Sequence, residues 1–201
     1  MIHTTFANTL RTGARVAVLA MIGFASPALA AGDVPLGDDG LHKPDWLQET
    51  FLDLGEDLED ATSQGKRMLI MIEQKGCIYC TKLHEKILPD PRIDEIIRES
   101  FYVVQINMYG DREVTDTDGT VLPEKALVRR WRANFTPTLI FMDETADPAK
   151  TAIDNAVQAA PWAFEKMTTL AMFTWIRDKA YLSEPEFQRY FAENFYMDTA
   201  Q

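Results

Sequence analysis

Arg67-Met68-Leu69-Ile70-Met71-Ile72-Glu73-Gln74-Lys75-Gly76-Cys77-Ile78-Tyr79-Cys80-Thr81-Lys82-Leu83-His84-Glu85-Lys86-Ile87-Leu88 carries three signals in succession. Residues 67–73 are an apolar run of strand length and composition. Cys77 and Cys80, the only two cysteines of the chain, stand two residues apart. Leu83 and Ile87 then recur at helical spacing before Pro89 ends the run. A Cys-x-x-Cys pair where a strand passes into a helix puts its first sulfur at the helix N-terminus. There, unpaired backbone N–H groups and the macrodipole favour a thiolate over a thiol. One turn of helix lets the second sulfur reach back and close a small disulfide. The pair reads as a dithiol/disulfide redox centre, with Cys77 and Cys80 as its catalytic residues. A structural disulfide competes, but so short a loop removes little chain entropy. Half of a zinc site competes too, although no second Cys-x-x-Cys or histidine pair supplies further ligands.

The 201 residues suit one domain of ordinary size, and 46% hydrophobic with 25% charged residues is globular composition. Arg11 and Arg15 precede the uncharged run Val16 to Ala25, and Ala28-Leu29-Ala30 completes a cleavage signal. Residues 1–30 are therefore expected to be a cleavable signal peptide, with an uncleaved anchor as the alternative. The apolar run is too short to span a bilayer in the ordinary way. Export would place the dithiol in an oxidising compartment, the periplasm. Arg11 and Arg15 are the only charged residues before residue 31, so the mature chain would keep 18 basic and 31 acidic residues, a net charge of −13. That acidity argues against nucleic acid and against anionic lipid surfaces as partners.

Residues 31–43 hold Gly, Asp and Pro without periodicity and are expected to form a flexible arm ahead of a domain over residues 44–197. Trp46, Leu47, Phe51, Leu54 and Leu58 recur at helical spacing, which predicts an amphipathic helix from Pro44 to Thr62. Asp90-Pro91 marks a capped helix over Arg92 to Glu99, and Phe101 to Met108 reads as a buried strand. Residues 109–123 are acidic and turn-rich and are expected to be an inserted surface loop. Glu113, Asp116 and Asp118 there lack the spacing of an EF-hand and read as solvated acids. Glu124 to Ala133 predicts a helix and Thr138 to Met142 a strand. Thr151 to Val157 reads as that strand's hairpin partner, with helices over Ala163 to Ala180 and Glu184 to Phe195. Phe164, Met167, Leu170, Ala171, Phe173 and Trp175 read as core, and no cofactor is expected.

The order strand, Cys-x-x-Cys, helix, strand, helix, Thr-Pro, strand resembles a thioredoxin-like fold: an α/β fold with a central mixed sheet flanked by helices. An N-terminal helix and two C-terminal helices are expected as additions. The resemblance rests on Cys77-Ile78-Tyr79-Cys80 and Phe135-Thr136-Pro137-Thr138. It implies a cis bond before Pro137, with Thr136 and Pro137 binding substrate backbone beside the disulfide. More narrowly, Lys66 to Met142 is similar to the exported SoxW-type thioredoxins of bacterial sulfur-oxidation systems. The shared features are Glu73-Gln74, Gly76-Cys77-x-Tyr79-Cys80-x-x-Leu83-His84, the acidic insertion and two C-terminal helices. Thioredoxins carry a buried acid six residues before the first cysteine, where this chain has Met71. Glu73 lies two residues on and so on the same strand face, a possible proton relay or an exposed strand end.

These readings converge on an exported thiol–disulfide oxidoreductase. Ile78-Tyr79 places no positive charge between the cysteines, which favours a reductant of protein disulfides. The resemblance implies a membrane electron-transfer partner that supplies the electrons. Two other classes remain: a copper-binding module using Cys77, Cys80 and His84, and an interaction domain without turnover. On the copper reading His84 is a ligand; otherwise it is expected to be solvated on a surface helix.

Overall fold

A strand with no polar alternation must be covered on both faces, and Arg67–Glu73 is buried at every position. The computed structural model describes Met1, residues 34–161 and residues 164–195. The expected signal segment after Met1 and the last residues of the expected domain lie outside them. The described residues from 34 onward fall in one unit, Ala31–Gln201.

In chain order the elements are α1 (Leu54–Ser63), β1 (Arg67–Glu73), α2 (Ile78–Lys82) running into a π-helical turn (Leu83–Ile87), α3 (Pro91–Ser100) and β2 (Phe101–Asn107). There follow β3 (Glu113–Thr115), β4 (Val121–Pro123), α4 (Glu124–Arg130), β5 (Thr138–Met142), β6 (Ala156–Pro161), α5 (Lys166–Arg177) and α6 (Phe187–Asn194). The main sheet runs β2-β1-β5-β6. β1 and β2 are parallel, with Glu73 opposite Asn107, whereas β5 is antiparallel to β1 and β6 to β5. This is the mixed, helix-flanked sheet of a thioredoxin-like fold.

Alternation along β1 divides the core. Met68, Ile70 and Ile72 face Leu54, Leu58, Leu127 and Trp131 of α1 and the α4 end. Leu69 and Met71 face Leu83, Ile87, Ile93, Phe101 and Phe173 on the other side. There Phe101, Phe141 and Phe173 meet edge to face with ring centroids 4.9–5.9 Å apart.

Four expectations are corrected. The first helix begins at Leu54, not Pro44. Leu52 takes φ 58°, and the Asp53 side chain caps the helix by accepting from the N–H groups of Gly55 and Glu56. Residues 47–48 instead lie beside β2, where Gln48 N–H donates to Val103 O at 2.9 Å, and residues 52–53 lie beside β3, where Thr115 N–H donates to Leu52 O at 2.9 Å. Trp46 and Leu54 therefore pack on opposite sides of the sheet, although their spacing is helical. Residues 34–43 form a closed turn, with Lys43 N–H donating to Pro35 O and Gly37 N–H to Leu41 O. The acidic insertion contains the β3–β4 hairpin. Asp116 within it is buried, accepting from Trp131 Nε1, Ala152 N and Arg130. The partner strand of β5 begins at Ala156, because Asn155 closes a turn by donating to Asp147 O and Lys150 O.

Candidate active site

Gly76, at φ 73°, turns the chain out of the loop after β1 and delivers Cys77 to the N-cap of α2. Cys77 and Cys80 are joined by a disulfide with Cα atoms 5.2 Å apart. Cys80 N–H donates to Cys77 Sγ at 3.0 Å, and the Thr136 hydroxyl donates to the same sulfur at 3.3 Å. The helix start and the Thr-Pro loop thus both direct donors at one sulfur. Cys77 is 7% exposed and Cys80 1%. Ile78 and Tyr79 between them, and Phe135 next to Thr136 in the chain, are exposed apolar side chains.

The Thr136–Pro137 peptide bond is cis. It precedes β5, whose Thr138 pairs with Ile72 next to the C-terminal end of β1. That register brings the Thr-Pro loop to the disulfide, and Thr136 O lies 3.5 Å from Cys77 Sγ. Cys77 and Thr136, 59 residues apart in sequence, meet because β1 and β5 are neighbours.

Glu73 ends β1 with its side chain wholly buried. His84 Nε2 lies 2.9 Å from Glu73 Oε1, and Gln105 Nε2 donates to Glu73 Oε2 at 2.6 Å. Both oxygens are therefore occupied, which offsets the cost of taking a carboxylate out of water. Of the two settings open to Glu73 in the sequence, the structure has the buried one. His84 is likewise buried, not solvated: the π-helical turn rotates it inward with Leu83. His42, 9% exposed, stacks on His84 with ring centroids 4.6 Å apart and planes 14° from parallel; Trp46 lies beyond at 6.2 Å. Gln105 also donates to His42 O at 3.0 Å and accepts from Lys43 Nζ at 2.6 Å.

Sequence reasoning missed His42 and Gln105. An amide in the middle of the apolar strand Phe101–Asn107 was a signal, because a buried amide needs partners. His42 gave none, since its place depends on the turn of the arm. His42, Glu73 and His84 each offer one ligand atom within 4.8 Å of the others. Imidazole lone pairs lie in the ring planes, however, and two nearly parallel planes do not converge on one ion. The arrangement as it stands suits hydrogen bonding better than coordination.

A sheet of this order with a Cys-x-x-Cys disulfide at a helix start and a cis-proline loop against it defines a thioredoxin-fold protein. A family model described as thioredoxin-like domain matches residues 54–162, more than half of the chain. The chain belongs to that family. Among solved structures it is similar to a thioredoxin-fold protein from Helicobacter pylori, at 16% identity and TM-score 0.51, covering 84% of this chain and 96% of that one. A thioredoxin from Thermus thermophilus aligns at 18% identity and TM-score 0.47 over 62% of this chain and 83% of that one. At 16% identity the likeness to the Helicobacter pylori protein concerns the fold alone. No curated protein matches the chain.

Proposed function

We propose that the protein is an exported thiol–disulfide oxidoreductase that reduces disulfides in protein substrates. The observation that carries this reading is the Cys77–Cys80 disulfide at the start of α2, with a backbone N–H and a hydroxyl directed at Cys77 Sγ. These donors would stabilise a thiolate there once the disulfide is reduced.

In the reduced protein, Cys77 Sγ⁻ attacks a substrate disulfide. One substrate sulfur leaves as thiolate and a mixed disulfide forms. Cys80 then loses its proton and attacks Cys77 Sγ, releasing the second substrate sulfur and restoring the Cys77–Cys80 disulfide. Two electrons pass to the substrate. Thr136 and Pro137 offer backbone against which an extended substrate segment can add as a strand. Glu73 serves the proton exchange of Cys80. The absence of a cation in Ile78-Tyr79 supports the reducing direction, and a membrane dithiol transporter of the kind the SoxW-type resemblance implies would return the electrons. Export rests on the order of residues 1–30.

Insulin reduction driven by dithiothreitol tests the reading. The wild-type protein should precipitate the insulin B chain, and Cys77→Ser should not. Turnover in Cys77→Ser equal to wild type would overturn it.

A further inference from the structure

Four residues after Cys80 the chain carries a buried imidazole that the mechanism above does not use. His84 Nδ1 is buried and has no hydrogen-bond partner among the described residues, although Nε2 of the same ring faces Glu73 at 2.9 Å. Hydrogen bonding favours one tautomer over the other. A proton on Nδ1 would be a buried donor without an acceptor, the more costly of the two ways to leave that atom unpaired. A proton on Nε2 is donated to Glu73 Oε1, whose other oxygen accepts from Gln105. The ring is then neutral, held in orientation by a carboxylate, with a bare lone pair at Nδ1.

His84 stands four residues after Cys80 on the helical run that begins at Ile78. Side chains at that spacing share a face, and a helical side chain leans toward the preceding turn, here the turn that holds Cys80. Cys80 and His84 are each 1% exposed. A thiol, an imidazole and a carboxylate that orients the imidazole are the groups that serve as nucleophile, base and orienter in a triad.

We infer that His84 Nδ1 is the proton acceptor for Cys80, with Glu73 as the group that positions its ring. The inference rests on the oxidoreductase reading and assigns its second step. As Cys80 attacks Cys77 Sγ, the S–H bond of Cys80 breaks and an N–H bond forms at His84 Nδ1. The product is an imidazolium paired with the Glu73 carboxylate. Once the disulfide has closed, the imidazolium releases that proton to solvent; when the disulfide is next reduced, Cys80 leaves as thiolate and takes up a proton in turn.

The surroundings suit one proton and not two. Glu73 faces His84 from β1, and Gln105 from β2 is uncharged. The arm contributes His42 and, through Gln105, Lys43, which is paired with Asp39. Glu85 adjoins His84 in the chain. Burial, and then the neighbouring His84, hold His42 below the ordinary imidazole range. His42 lies as a flat cover over the His84 ring.

The test separates the two steps by stopped flow, measuring mixed-disulfide formation and its resolution across about pH 5.5 to 9. His84→Gln keeps an N–H donor for Glu73 but has no proton-accepting site. It should slow resolution about 100-fold near neutral pH and abolish the base inflection in the resolving rate, while Cys77's first attack changes less than about twofold. A wild-type resolving profile in His84→Gln would overturn the inference and leave the oxidoreductase reading standing. Failure of the wild-type protein to form a mixed disulfide would overturn that reading itself. Should His84→Gln not fold, ¹⁵N NMR of the unaltered oxidised protein decides. A neutral His84 with the proton on Nε2 and a bare Nδ1 is expected, and an Nδ1–H tautomer would overturn the assignment.

Discussion

Asp57 shows how one buried carboxylate can oppose the fold it sits in. It is buried in α1, receives one side-chain hydrogen bond, from the Thr50 hydroxyl at 3.1 Å, and has Asp53, Asp60 and Glu56 around it. Burial above all raises its pKa to about 6. The folded state therefore binds a proton that the unfolded chain has already lost between roughly pH 4 and 6, and stability falls as pH rises through that window. Asp57→Asn should raise stability by about 1–2 kcal/mol at pH 7 and by progressively less below pH 6. Urea denaturation at pH 7 and pH 5 checks both the gain and its loss. At this scale the pairing of the cysteines was legible, because two cysteines two residues apart where a strand passes into a helix can close a small disulfide. His84 was not: periodicity puts it on a helix, but only the π-helical turn decides which way that helix presents it.

Among the elements, the end of β2 depends on a close approach between two loops. Glu124 at the start of α4 is buried and accepts from Asn107 N–H at 2.9 Å and from the Arg112 side chain at 2.6 Å. Gly110 passes directly over it, and a Cβ there would sit 1.9 Å from Glu124 Oε2. Gly110→Ala should destabilise the protein by about 1–3 kcal/mol by pushing that carboxylate off its donors. A lowered thermal midpoint with an unchanged far-ultraviolet spectrum is the expected readout. The strands were the most legible elements: β5 runs over Thr138–Met142 as its apolar run predicts. The stretch before α1 was the least, because Trp46 and Leu54 satisfy a helical repeat while lying on opposite faces of the sheet. Periodicity records which residues are apolar; the positive φ at Leu52 and the cap at Asp53 decide where the helix starts. Likewise the insertion's turns were visible, whereas Asp116 could be recognised as buried only once Trp131, Arg130 and Ala152 surrounded it.

For the whole molecule, the acidic surface and the proposed export belong together. A periplasmic reductant with a net charge of −13 would favour neutral or basic protein substrates over anionic surfaces. N-terminal sequencing of the exported protein should begin at Ala31, and an intact Met1 in the soluble periplasmic fraction would contradict export by cleavage. The division of labour between the two sulfurs is central to the account. It is tested most directly by intact-mass spectrometry of single-cysteine variants after exposure to a substrate disulfide. Cys80→Ser should accumulate a stable mixed disulfide through Cys77, while Cys77→Ser should form little, its remaining sulfur being buried. Faster adduct formation at Cys80 in Cys77→Ser than at Cys77 in Cys80→Ser would contradict it.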